Sequence, residues 1–248
     1  MARPIDDHPA GLNEPVPLRG PRPGLGVAVA VLLGLAALAG LWAAFTGVGP
    51  AQLDAAVLDE SVESRTDLLT AAAVTVTHLG STAAMAVLAI ASGIRLWRTD
   101  RRADAVLVIG AMAGAQLVFR GLKELLDRPR PPEDGRLVHA VSESLPSGHA
   151  TTAVVVIGTL LVLAWPGRTP PVRAGLVAAA TVWVGAVGLT RIYLGVHWFS
   201  DVIAGWLVGG AWLAICVVVW SRWRARAGVD LTTARLPGPQ QGPPPPGG

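Results

Sequence analysis

Long apolar runs dominate the pattern of hydrophobic and polar positions, and short polar segments separate them. About 20 apolar residues are enough to cross a bilayer as a helix. Six segments approach this length, and we expect each to form a membrane-spanning helix. The acidic stretch that follows the first of them, residues 54–67, is typical of a helix at the membrane surface. The six predicted spans are residues 24–48, 71–96, 105–122, 150–165, 172–189 and 202–220.

The two ends of the chain differ from this apolar region. Residues 1–23 are polar and rich in proline, and residues 223–248 are first basic and then rich in Pro and Gly. Segments of this kind bury too little apolar surface to fold. We therefore predict a disordered N-terminal lead (1–23), an all-α polytopic membrane bundle of six helices (24–222) and a disordered C-terminal tail (223–248).

Composition and charge support a membrane protein and exclude other classes. Hydrophobic residues make up 52% of the chain and charged residues only 15%, against about 25% charged residues in soluble domains. The net charge is +3, and the arginines are scattered in short clusters. Nucleic-acid binding, which needs a continuous basic face, is therefore excluded. The sequence leaves the oligomeric state open.

The distribution of basic residues predicts the orientation in the membrane. Most arginines lie in the lead, in the tail, and in the connections after the second and fourth spans. The positive-inside rule places these segments, and both termini, in the cytoplasm. One outer connection, between the third and fourth spans, breaks the rule, and a local breach of this kind suggests a functional reason. Its basic residues are Arg120, Lys123, Arg128, Arg130 and Arg136.

Three short motifs fall on the predicted outer face. They are KELLDRPRP (residues 123–131), PSGH (146–149) and TRIYLGVHWFSD (190–201). Together they supply the cations Lys123, Arg130 and Arg191, and Lys123 is the single lysine of the chain. Guanidinium and ammonium groups are well suited to bind phosphate oxygens.

The PSGH motif adds backbone donors to these cations. Ser147 and Gly148 precede a predicted helix, so the N–H groups at its start can face an anion. We therefore expect a phosphate cradle. Arg128 either joins this cradle or pairs with Asp127 or Glu124, and the sequence leaves both possibilities open.

Two histidines can carry out the chemistry at such a cradle. His197 and Asp201 are four residues apart, so the carboxylate can orient the imidazole, whose second nitrogen can attack phosphorus. His149 can protonate the departing oxygen and later activate water. The protein supplies the positive charge that the transition state needs, so we expect no metal and no cofactor.

The ordered motifs resemble those of the phosphatidic acid phosphatase type 2 superfamily, with the pattern K-x6-RP, PSGH and SR-x5-H-x3-D. The resemblance covers roughly residues 59–220. It implies a helical bundle, metal-independent hydrolysis of a phosphoester or diphosphate, and a phosphohistidine intermediate at His197. Thr190 stands where the family usually has serine, and we expect its hydroxyl still to bind phosphate.

We therefore expect a plasma-membrane lipid phosphatase with its active site on the extracytoplasmic face. The favoured substrate is a polyprenyl diphosphate such as undecaprenyl diphosphate, followed by phosphatidate or phosphatidylglycerophosphate. One alternative is a phosphotransferase that uses the same intermediate. Another is a transporter or binding protein for anionic lipids, although the predicted spans carry no acidic or basic residue at their centres.

Overall fold

The computed structural model describes residues 23–233 of the chain, with side chains described for residues 24–226. Within this range all regular structure is helical, which confirms the all-α prediction. The predicted disorder of the outermost residues at both ends lies outside the described range. The helices are α1 (Pro23–Thr46), α2 (Asp54–Glu63), α3 (Asp67–Leu79), α4 (Thr82–Arg98), α5 (Arg102–Leu126), α6 (Gly148–Ala164), α7 (Pro170–Tyr193) and α8 (Phe199–Thr233).

Four of these helices, α1, α5, α7 and α8, are long and apolar enough to cross a membrane. The pair α3 and α4 gives a fifth candidate if the two helices form one span. The remaining predicted span is α6, which has 17 residues and is the shortest of the apolar segments. It packs against α4, α5, α7 and α8, and none of its residues is exposed.

The predicted second span, residues 71–96, is a broken helix with a bend of 44° between α3 and α4. Ser81 begins α4 as its N-cap, because its hydroxyl accepts a hydrogen bond of 3.1 Å from the backbone N–H of Ala84. Gly80 precedes it, and a side chain there would collide with Val187 of α7. Gly/Ser pairs are common sites of helix kinks. The break therefore comes from a cap and a close helix contact, neither of which interrupts the apolar run.

The acidic stretch forms α2 as expected, and a 3-10 turn (Gly49–Leu53) joins it to α1. Its first residue, Asp54, is buried, whereas Asp59 and Glu60 are exposed. At the other end of the chain, α8 continues to Thr233, past the predicted start of the tail at residue 223. Residues 223–233 contain no proline, so nothing in the covalent structure stops the helix there.

Two glycines on α8 allow close contact with α6. A Cβ at Gly205 would lie 2.8 Å from the carbonyl oxygen of Ser147, and one at Gly209 would lie 2.7 Å from that of Thr151. Small residues four apart let two helix backbones approach closely inside a membrane. This contact fixes the start of α6 against the start of α8.

We expect Gly209→Ala to lower the free energy of unfolding by about 1–3 kcal/mol, because the new methyl group overlaps the backbone of α6. Gly210→Ala is the matched control, since a Cβ there meets only one side-chain atom of Leu33, at 4.0 Å. The measurement is the thermal melting temperature in detergent. Equal melting temperatures for the two variants would contradict the close contact.

Candidate active site

The three motifs meet at one end of the bundle. The last turn of α5 carries Lys123, and the first turn of α6 begins at Gly148. Arg191 lies in the last turn of α7, His197 in the short connection that follows, and Asp201 in the first turn of α8. The C-terminal ends of α5 and α7 therefore face the N-terminal ends of α6 and α8.

His197 is held between a carboxylate and a guanidinium. Its Nδ1 lies 3.4 Å from Oδ2 of Asp201, and its Nε2 lies 3.2 Å from Nη1 of Arg130. Arginine can only donate, so Nε2 must accept and the proton sits on Nδ1, facing the carboxylate. The ring thus presents an unprotonated Nε2 on the side of the cations.

The electrostatic environment keeps this ring neutral. Burial lowers the pKa of His197 well below its usual value, and the positive charges of Arg130, Lys123 and Arg191 lower it further. Because the protonated form is disfavoured, Nε2 retains its lone pair at neutral pH. A neutral, oriented imidazole is the form that can act as a nucleophile.

The charges of the three predicted cations act on this ring, and each cation is held by different partners. Lys123 is buried and donates to the carbonyl oxygens of Glu143 and, at 3.3 Å, Ser144. Arg130 donates to the carbonyl oxygen of Val196 as well as contacting His197. Backbone carbonyls orient both groups but leave their charges uncompensated, so a bound anion could neutralise them.

Arg191 is also buried, and Nη1 donates to the hydroxyl of Thr77 on α3 at 2.6 Å. Its Nε is buried and has no hydrogen-bond partner within the described residues. A buried donor without a partner is costly, so a ligand oxygen is its natural acceptor. Helix α3 thereby helps to position a phosphate-binding candidate on α7.

The start of α6 supplies further donors. The backbone N–H of Ser147 donates to the carbonyl oxygen of Asp201 at 3.1 Å, while its buried hydroxyl has no partner among the described residues. Gly148 packs on the ring of Phe119, where a Cβ would lie 3.0 Å away. His149 follows, half-buried, and the charges of Arg191, Arg130 and Lys123, which also act on His197, act on its ring. Both histidines thus belong to one cluster.

Two predicted phosphate ligands have different contacts from those expected. The hydroxyl of Thr190 donates to the carbonyl oxygen of Val187 in its own helix at 2.7 Å, so its proton is not directed at a phosphate. Arg128 pairs with neither Asp127 nor Glu124. It donates to Asp201, to Oδ2 of Asp54 at 2.7 Å and to the hydroxyl of Ser200 at 2.9 Å. Carboxylates therefore occupy the guanidinium that we considered for phosphate.

Three residues at this end of the bundle do not stand out in the sequence: Asp54, Thr77 and Ser200. Asp54 is one of several acidic residues in and around α2, and nothing in the pattern separates it from its exposed neighbours. Thr77 and Ser200 are ordinary hydroxyl residues near helix ends. The one available signal was the position of Ser200 beside Asp201.

We expect the ring of His197 to remain neutral through pH 6.5, and Arg130→Gln to raise its pKa because one nearby positive charge is removed. The measurement is a pH titration of ¹⁵N-histidine-labelled protein by NMR, with the signal assigned by its loss in His197→Ala. The exposed Arg120→Gln is the control and should leave the pKa of His197 unchanged. A wild-type ring that titrates near 6.5 would contradict this electrostatic picture.

Comparison with known proteins identifies the family to which these motifs belong. The sequence model of the PAP2 superfamily matches residues 104–225, which include all three motifs. Phosphatidylglycerophosphatase B of Bacillus subtilis is 30% identical over 172 residues, covering 63% of this chain and 84% of that protein. Lipid A 1-phosphatase of Rhizobium etli is 34% identical over 151 residues, covering 53% of this chain and 60% of that protein.

Solved structures support the same assignment. The crystal structure of a PAP2-type phosphatidylglycerolphosphate phosphatase from Bacillus subtilis has a TM-score of 0.67 and 27% identity, covering 84% of this chain and 99% of that one. The structure of Aquifex aeolicus LpxE shares the fold, with a TM-score of 0.51 and 24% identity over 68% of this chain and 95% of that one. The family resemblance of the motifs is thereby confirmed, and the chain belongs to the PAP2 superfamily of membrane phosphatases.

Proposed function

We propose that this enzyme hydrolyses the phosphomonoester of a lipid head group, with phosphatidylglycerophosphate as the first candidate substrate. The observation that carries this proposal is the geometry of His197, whose Nδ1 faces Asp201 and whose Nε2 accepts from Arg130, with the charges of Lys123 and Arg191 also acting on the ring. The similarity to phosphatidylglycerophosphatase B supports the choice of lipid. It moves the polyprenyl diphosphate favoured by the sequence analysis to second place, and that substrate remains a prediction.

In the proposed first step, Nε2 of His197 attacks phosphorus and the bond from phosphorus to the lipid oxygen breaks. His149, in the imidazolium form that a bound phosphate anion stabilises, donates a proton to that leaving oxygen, and a phosphohistidine forms. In the second step His149 takes a proton from water, the water oxygen attacks phosphorus, and the P–N bond breaks. Inorganic phosphate leaves and both histidines return to their starting protonation states.

The cations stabilise the charge that spreads over the phosphoryl oxygens in both steps. Nη1 of Arg130 contacts Nε2 of His197, so a phosphoryl oxygen must take over this donor before Nε2 can attack. Ser147 and the backbone N–H groups at the start of α6 complete the cradle with Gly148. Because these groups already supply the positive charge, we propose that no metal takes part.

We further propose six membrane crossings, made by α1, the bent pair α3 and α4, α5, α6, α7 and α8. An even number of crossings places both termini on the same side. The last turn of α4, with Arg95 and Arg98, and the connections after α4 and α6, with Arg101 and Arg168, lie at the end of the bundle opposite the histidines. The positive-inside rule supports a cytoplasmic location for that end and an extracytoplasmic active site.

We expect purified protein in EDTA to release phosphate from phosphatidylglycerophosphate, and His197→Ala to reduce kcat by about 10³-fold or more, since the nucleophile is lost. Phosphatidate, lipid A and undecaprenyl diphosphate complete the panel. His139→Ala, on an exposed residue of the α5–α6 connection, is the control and should retain wild-type activity. If more lipid substrate is consumed than inorganic phosphate is released, the phosphoryl group is being transferred to an acceptor other than water.

The role of His149 is tested in the same assay. His149→Ala should lower kcat on the lipid by about 10²–10⁴-fold. The loss should be smaller on p-nitrophenyl phosphate, whose leaving group needs no proton.

Equal activity of His197→Ala and wild type, or no release from any of the lipids, would refute the proposed function.

We expect membrane-impermeant maleimide to label the outer connection of intact cells but not the inner one. In a Cys216→Ser background, Val141→Cys reports on the α5–α6 connection, where Val141 is 89% exposed. Thr99→Cys reports on the α4–α5 connection and should react only after lysis. Labelling of Thr99→Cys alone in intact cells would reverse the proposed orientation, and equal labelling of both would refute the six-span topology.

A further inference from the structure

We infer that Asp54 and Arg128 are positioning residues that hold the carboxylate of Asp201 against His197. This inference rests on the proposed role of His197 as the nucleophile. Arg128 lies beside the phosphate-binding candidates in sequence, but its contacts are with carboxylates. Asp54 belongs to α2, which lies outside the region matched by the family model.

Both oxygens of Asp201 have defined partners. Oδ2 faces Nδ1 of His197 at 3.4 Å and accepts from the backbone N–H of Trp198 at 2.9 Å. Oδ1 accepts from Nη1 of Arg128. The direction in which Asp201 presents Oδ2 to the imidazole therefore depends on where Arg128 holds Oδ1.

Arg128 is itself fixed by α2 and α8. Its Nη2 donates to Oδ2 of Asp54 at 2.7 Å, and its Nη1 also donates to the hydroxyl of Ser200. That hydroxyl donates to Oδ2 of Asp54 at 2.7 Å, and the backbone N–H of Ser200 donates to Oδ1 of Asp54 at 2.8 Å. One guanidinium thus bridges two carboxylates through a closed set of hydrogen bonds.

The charges explain why the bridge is needed. Asp201 is completely buried, and its histidine partner is neutral, so the imidazole leaves the carboxylate charge uncompensated. A buried charge without a partner is strongly destabilising. Arg128 supplies the compensating charge, and Asp54 keeps the guanidinium turned towards Asp201 rather than towards a bound phosphate. The bridge from Asp54 through Arg128 to Asp201 thus keeps the orienting carboxylate separate from the phosphate-binding cations.

The test compares Asp54→Asn, Arg128→Gln and the double variant with wild type in steady-state hydrolysis of phosphatidylglycerophosphate. We expect each single variant to lower kcat by roughly 10- to 100-fold, because the nucleophile is misoriented. KM should change by less than about 3-fold, since neither residue touches the substrate. The double variant should be no slower than the slower single variant, because both act through Asp201.

Matched controls separate positioning from general stability. Asp59→Asn removes an exposed carboxylate from the same helix α2, and Arg120→Gln removes an exposed arginine from α5; both should retain wild-type kcat. Asp54→Glu keeps the carboxylate and should recover part of the kcat lost in the isosteric Asp54→Asn. If Asp54→Asn does not fold, Arg128→Lys is measured in its place. The ammonium group of lysine cannot contact both carboxylates, so kcat should fall while KM stays constant.

Wild-type kcat in Asp54→Asn, or in Arg128→Lys where that variant carries the test, would overturn the inference. So would a raised KM at constant kcat, or additive losses in the double variant. His197→Ala, run alongside, distinguishes this failure from that of the proposed function. Inactive His197→Ala with fully active Asp54→Asn overturns only the positioning role, whereas active His197→Ala overturns the proposed function itself.

Discussion

Burial of Asp201 is the constraint on which the rest of the site depends. A carboxylate with no solvent contact must have every oxygen satisfied, and here the partners come from separate parts of the chain. Arg128 follows α5, and His197 and Trp198 precede α8. The carbonyl oxygen of the same residue accepts from the N–H of Ser147 at the start of α6. One residue therefore joins all three motifs, and the helices that carry them must meet at this point.

Helix packing meets this requirement through small residues. Gly205 and Gly209 bring α8 against the backbone of α6, and Gly80 brings the α3–α4 junction against α7. The second contact places Thr77 within hydrogen-bonding distance of Arg191. Positions that look featureless in the sequence thus decide where charged side chains lie, because a single methyl group would separate the helices that carry them.

Much of this arrangement could be predicted because charged and titratable residues are conspicuous in an apolar chain. The order of the motifs and the number of predicted spans between them place all three motifs on one face of the membrane. The clustering of their basic residues and histidines could therefore be predicted: Lys123, Arg130, His149, Arg191 and His197. The partners of Arg128 could not be predicted, since Asp54 lies 74 positions earlier among similar acidic residues. The hydroxyl of Thr190 shows a second limit: spacing places a residue near a site, but does not reveal that its proton is bonded to its own helix. Hydropathy likewise could not locate the break at Gly80, because the apolar run continues through it.

The shortness of α6 has a consequence for how substrates reach the enzyme. A helix of 17 residues is about 26 Å long, less than the roughly 30 Å of hydrocarbon that a full span crosses. If α6 is a membrane span, as proposed above, and the missing length lies at the active-site end, His149 at its first turn is recessed below the level that a longer helix would reach. Molecules dissolved in the membrane arrive at such a depth by lateral diffusion, whereas soluble phosphate esters must descend from the water. For a site at that depth, the turnover rate would be governed by the mole fraction of substrate in the bilayer rather than by its concentration in solution.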